Sequence, residues 1–121
     1  MAKQILVVDD SPSIRSLLKV YFTERGFMVD ESSGGRSGLE KARQKNYDLI
    51  VTDQNMPGME GLSLVKSLRE LPACKKTPIL VLTTETADEL KASFKEAGAS
   101  GWMSKPFSPE RMDAALAKLL P

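Results

Sequence analysis

A chain of 121 residues, 41% hydrophobic and 27% charged, has room for one packed core and the composition of a soluble globular domain. Seventeen basic side chains against sixteen acidic ones leave a formal charge of +1, without the basic surplus on which phosphate-backbone binding depends, so nucleic acid is not an expected partner. The lone Cys74 excludes an internal disulfide, the absence of histidine excludes His-ligated zinc, Ser-His triads and phosphohistidine on this chain, and no apolar run reaches the roughly 20 residues of a membrane span. A cytoplasmic single domain, residues 1–121 with no output domain, is the expectation.

The first element is the uninterrupted apolar run Ile5 to Val8, the pattern of a parallel strand covered on both faces. Ser11-Pro12 then reads as an N-cap serine followed by proline at the first helical position, where the missing N–H costs nothing. Ile14, Leu17, Leu18, Tyr21 and Phe22 follow at helical spacing and predict one buried face. Phe27 to Glu31 is a more polar stretch between turn signals, as suits a strand at a sheet's border. A helix is expected from about Gly35 to Asn46, with Gly34, Gly35 and Gly38 weakening its start.

Leu49 to Val51 and Ile79 to Leu82 repeat the apolar pattern of the first run and are the other central strands. Between them Leu62, Val65, Leu68 and Leu71 form a helical stripe. A helix over Ala87 to Ala97, a border strand over Gly101 to Ser104, and a final helix complete the chain. That last helix is capped by Ser108-Pro109 and striped by Met112, Ala115, Leu116, Leu119 and Leu120. Five strands alternating with five helices predict a doubly wound α/β fold, a parallel sheet with right-handed crossovers, and the simplest strand order is 2-1-3-4-5.

In such sheets ligands bind beyond the carboxyl ends of the strands, near the point where the strand order reverses. The first strand runs into Asp9-Asp10, the third into Thr52-Asp53, the fourth into Thr83-Thr84 and the fifth into Ser104-Lys105. Taken singly, each has an ordinary explanation: Asp9, Asp10 and Asp53 as turn residues, Thr83 as a strand terminus, Lys105 as a solvated lysine. Their joint placement at four strand ends points to a site instead. Carboxylates brought together repel unless a cation joins them, and an oxygen-only donor set suits a hard ion. Mg²⁺ is expected, with Mn²⁺ able to replace it. An ionised aspartate is a competent nucleophile toward phosphorus, and a cation and a lysine can neutralise charge on the transferring group, so the set fits phosphoryl transfer.

Asp9-Asp10 after Leu6-Val7-Val8, the loop Asp53-Gln54-Asn55-Met56-Pro57-Gly58, Thr83 ending Ile-Leu-Val-Leu, and Lys105-Pro106-Phe107 together resemble the receiver domains of two-component signalling, over essentially the whole chain. The resemblance implies that Asp53 is the phosphoacceptor, that Asp10 ligates Mg²⁺ directly and Asp9 largely through water, and that Asn55 adds its backbone carbonyl. It implies that Thr83 hydrogen-bonds a phosphoryl oxygen and that Lys105, followed by a cis proline bond, pairs with another. Trp102 falls where the family usually carries the Tyr or Phe switch aromatic, and Thr84 where Ala or Ser is common. Asn55 and Glu85 resemble the pairing of chemotaxis receivers of the CheY type and imply short-lived phosphorylation.

The implied partners are a histidine kinase as phosphodonor, a possible phosphatase, and a downstream protein such as the flagellar motor switch or another signalling protein. No turnover of an outside substrate is implied, only self-phosphorylation and hydrolysis of the aspartyl phosphate. The rival reading is a phosphorylation-independent interaction module. An aspartate-dependent phosphatase is disfavoured because position 55 is Asn rather than a second Asp, and a nucleotide carrier because Asp9 and Asp10 would repel its phosphate.

Overall fold

The computed structural model describes residues 2–84 and 88–120. Five strands, β1 Gln4–Val8, β2 Met28–Ser32, β3 Leu49–Asp53, β4 Ile79–Thr83 and β5 Gly101–Ser104, pair in parallel in the order β2-β1-β3-β4-β5. Helices α1 Pro12–Glu24, α2 Gly35–Gln44, α3 Gly61–Glu70, α4 Asp88–Ala97 and α5 Pro109–Leu119 connect them, with a short 3₁₀ turn at Pro72–Cys74. The doubly wound order expected from strand polarity is the one observed. Among the described residues no helix is long and apolar enough to cross a membrane.

Side-chain alternation along the strands divides the core between the two faces of the sheet. Ile5, Val7, Leu49, Val51, Leu80 and Leu82 meet Leu18, Tyr21 and Phe22 of α1 and Met112 and Leu116 of α5. On the other face Leu6, Val8, Ile50, Ile79 and Val81 meet Ala42 of α2, Leu64, Val65 and Leu68 of α3, and Phe94 and Ala97 of α4. Both serine caps form: Ser11 accepts from the Ile14 N–H and Ser108 from the Arg111 N–H, each with proline at the start of its helix.

Several boundaries differ from the sequence expectation. Strand β2 begins at Met28, because Phe27 belongs to the end of α1: its N–H donates to the Phe22 carbonyl, and Gly26 takes the left-handed φ of +86° that the turn requires. Helix α2 stops at Gln44, since Lys45 is already extended. It starts at Gly35 despite the glycines, and Gly38 has a packing reason: a Cβ there would stand 2.8 Å from Val8 Cγ2. Leu17 does not join the buried face of α1; it is 48% exposed and lines an open cavity with Ile14, Leu82, Lys105, Pro106 and Phe107. The buried stripe is narrower than the periodicity suggested, because this open cavity lies between Leu17 and the loop after β5. Strand β3 continues through Thr52 to Asp53, whose backbone pairs with Leu82, and the Gln54 N–H then donates to the Leu82 carbonyl.

Candidate functional site

Because β3 runs on to Asp53, the carboxylate leaves a strand end fixed by β1 and β4 on either side, and it is 3% exposed. Asp9 follows β1 directly and is 1% exposed; its N–H donates to the Ser32 carbonyl at 3.0 Å and its own carbonyl accepts from Arg15 Nη1 at 2.6 Å. Oδ1 of Asp9 accepts from the Ser11 N–H at 2.9 Å, so the turn explanation holds for half of this carboxylate. The other half it leaves open: Oδ2 is buried with no hydrogen-bond donor. Asp10 is exposed, and one carboxylate oxygen from each of Asp9, Asp10 and Asp53 lies within 4.8 Å of the others.

The Lys105 ammonium stands 2.7 Å from Asp53 Oδ1, an ion pair in which Lys105 is 22% and Asp53 3% exposed at the side chain. Oδ1 accepts no hydrogen bond of ordinary geometry, so this contact is electrostatic rather than directional. Three ionised carboxylates against one ammonium leave two negative charges without a partner inside the cluster. Burial holds the Asp9 carboxyl above the ordinary value of 3.8; Asp53 and Asp10 push it the same way, and the Ser11 N–H and Lys105 oppose them. A buried carboxylate oxygen without a donor, set among like charges, fits a divalent cation with hard oxygen ligands, and the acidic cluster fits Mg²⁺.

Thr83 is the last residue of β4, buried, and its carbonyl accepts the Lys105 N–H at 2.8 Å. The Lys105–Pro106 bond is cis. Asn55 is exposed beside the acids, with its Oδ1 3.4 Å from Thr84 Oγ1. Trp102 lies in β5 opposite Val81, half-buried against Phe94 of α4 at 6.1 Å between ring centroids, with the Lys91 ammonium 6.0 Å from its ring. It is a sheet-edge aromatic packed on α4, apart from the acid cluster. Glu85 lies outside the described residues.

Residues that sequence reasoning passed over hold this arrangement together. Helix α3 has no side-chain cap of its own from Glu60; Gln54, 5% exposed, accepts the Leu62 N–H on Oε1 at 2.8 Å instead. Gly61 lets α3 start against the end of β3, since a Cβ there would stand 2.5 Å from the Asp53 carbonyl oxygen. A polar residue immediately after Asp53, ahead of a helix without a capping side chain, is the one signal that could have drawn attention to Gln54.

A family model for the response regulator receiver domain matches residues 5–117. The chain belongs to the response-regulator receiver family. Among solved receiver structures, the chemotaxis response regulator CheY4 of Vibrio cholerae is 42% identical with a TM-score of 0.94, over 99% of this chain and 100% of that one. The response regulator TrrA of Thermotoga maritima, solved in complex with Mg²⁺-BeF, is 36% identical with a TM-score of 0.86, over 98% of this chain and 99% of that one. The transcriptional regulatory protein ResD of Bacillus subtilis is 37% identical over 117 residues, 97% of this chain but 48% of ResD, so the chain spans about half the length of that curated relative. As a receiver, the chain is a signalling domain of two-component systems rather than a turnover enzyme.

Proposed function

We propose that Asp53 accepts a phosphoryl group from the phosphohistidine of a histidine kinase. The observation that carries this is the cluster itself: three carboxylates within 4.8 Å of one another, with a lysine ammonium 2.7 Å from one of them. Asp10, Asp53 and the Asn55 backbone carbonyl would hold Mg²⁺, with Asp9 supporting it largely through water. When bound, the cation neutralises charge on the transferring group. Asp53 attacks the phosphorus in line, the donor's nitrogen leaves, and a carboxyl–phosphate bond forms. Lys105 moves from its carboxylate partner to a phosphoryl oxygen, and Thr83 hydrogen-bonds another. Water later hydrolyses the acyl phosphate and restores Asp53. The resemblance of Asn55 and Glu85 to the pairing of CheY-type receivers favours a short-lived phosphorylated state.

Mn²⁺ substitutes for Mg²⁺ in the same donor set. Phosphorylation adds about two negative charges, and the new contacts of Thr83 and Lys105 shift the population toward a state that binds a downstream protein differently. Trp102 reports or shares in that change. For the test, Mg²⁺ is added to the native chain and to Asp53→Asn while Trp102 fluorescence is followed, and a phosphorylated histidine kinase is then supplied. Phosphoryl transfer to the native chain alone supports the reading. No transfer from any cognate kinase would leave a phosphorylation-independent interaction module.

The output we propose is chemotaxis or motility, supported by the likeness to CheY4 over the full length of both chains. The partner is then the flagellar motor switch, and a phosphatase shortens the signal further. The likeness to ResD favours a transcriptional output as the alternative. Phosphorylation-dependent association with the motor-switch protein supports the first; the same affinity with and without phosphate removes it and leaves the receiver chemistry standing.

A further inference from the structure

We infer that Arg111 is the positioning residue for Lys105. Lys105 reaches Asp53 from the loop that joins β5 to α5, so the place of its ammonium depends on where that loop holds its backbone. Arg111, in the first turn of α5, folds its guanidinium back over the loop. Nη2 donates to the Ser104 carbonyl at 2.8 Å and to the Pro106 carbonyl at 2.6 Å, and Nη1 donates to Ser104 Oγ at 3.2 Å. The two carbonyls belong to the residues immediately before and after Lys105. One planar fork therefore brackets the lysine, while its N–H is tied to Thr83 on β4 at 2.8 Å.

The clasp has a fixed base. The Arg111 N–H donates to the Ser108 cap at 3.3 Å, so the guanidinium springs from the well-anchored start of a helix. Phe107, next in the loop, packs edge-on against Tyr21 of α1 at 5.2 Å between ring centroids, which holds the loop on its other side. Lysine at position 111 has three donors on one nitrogen but lacks the second, coplanar nitrogen that ties Ser104 Oγ, so it would hold the loop in a less fixed plane.

This role rests on the proposed part of Lys105 in phosphoryl transfer. It is tested by a double-mutant cycle on the full chain, with acetyl phosphate and Mg²⁺ supplied and the initial rate of phosphoryl uptake read by intact mass. Arg111→Ala is expected to slow uptake roughly tenfold, with ~10²-fold as the upper bound for a misplaced group. Arg111→Lys is expected to fall between Arg111→Ala and the native rate, and Arg111→Ala is expected to cost nothing further once Lys105→Ala is present. An equal loss in both backgrounds assigns Arg111 to the fold alone and overturns the inference. So does a native rate in Arg111→Ala. If the native chain takes up no phosphate, the receiver reading itself fails and this role falls with it.

Discussion

Lys105, in the loop after β5, reaches across the end of β4 to Asp53 at the end of β3, and the two meet at 2.7 Å. Among the described residues the lysine ammonium is the counter-charge paired with Asp53, and it competes with any cation for the same carboxylate. Lys105→Ala should therefore tighten Mg²⁺ binding by roughly threefold to tenfold, as expected for removing one nearby charge screened close to the bulk-water limit. It should also slow phosphoryl uptake. Titration calorimetry reads the first effect, and a weaker Mg²⁺ affinity in the variant would contradict the competition.

Asp9 should stabilise the metal-free chain when neutralised. Its Oδ2 is buried without a donor and its carboxyl is held above the ordinary range, chiefly by burial. Asp9→Asn should raise stability by about 1 kcal/mol in chelator, as an unpaired buried charge is removed, and should lose part of the stabilisation that Mg²⁺ confers on the native chain. Urea unfolding with and without Mg²⁺ measures both.

Gly61→Ala should damage the site as well as the fold. The added Cβ would meet the Asp53 carbonyl oxygen at 2.5 Å and Gln54 Cα at 2.9 Å, both backbone atoms that cannot turn aside. A loss of about 1–3 kcal/mol is expected, as for overpacking in a core, together with weaker Mg²⁺ binding. Gly34→Ala is the control, because nothing lies within 4 Å of its Cβ position and its φ of −168° is ordinary extended backbone.

Acid sensitivity should appear away from the site, at Asp30. Its carboxyl is held below the ordinary 3.8 first by the Tyr47 hydroxyl, which donates at 2.7 Å, and then by Lys45, with partial burial opposing them. A lowered native pKa means that the unfolded chain binds the proton first as pH falls. The contribution is thus present above the ordinary value and is lost as pH drops through the native one. Tyr47→Phe should be less stable than the native chain at neutral pH, with the difference shrinking below about pH 4. A difference independent of pH would contradict the assignment.

The parts of the fold carried by local pattern were legible in the sequence. Apolar runs such as Ile79 to Leu82 marked the covered strands, and Ser11-Pro12 and Ser108-Pro109 marked helix starts that form as expected. The gathering of Asp9, Asp10 and Asp53 was also legible, because strand ends in a doubly wound sheet converge. Long-range reach was not. Gln54 caps a helix eight positions ahead, Arg15 holds the Asp9 carbonyl, and Arg111 folds back over its own loop, and flexible side chains leave no spacing signature for such contacts. Leu17 shows the converse: helical spacing placed it on the apolar face but could not tell that an open cavity separates it from the neighbouring loop.

The most direct test of the phosphoacceptor is intact-mass analysis of the native chain and Asp53→Asn after incubation with acetyl phosphate, each with Mg²⁺ and with chelator. One phosphoryl adduct on the native chain, dependent on Mg²⁺, mapping to Asp53 and absent from the variant, is the predicted result. An adduct of equal yield on Asp53→Asn, or none on the native chain with Mg²⁺ present, would contradict the account.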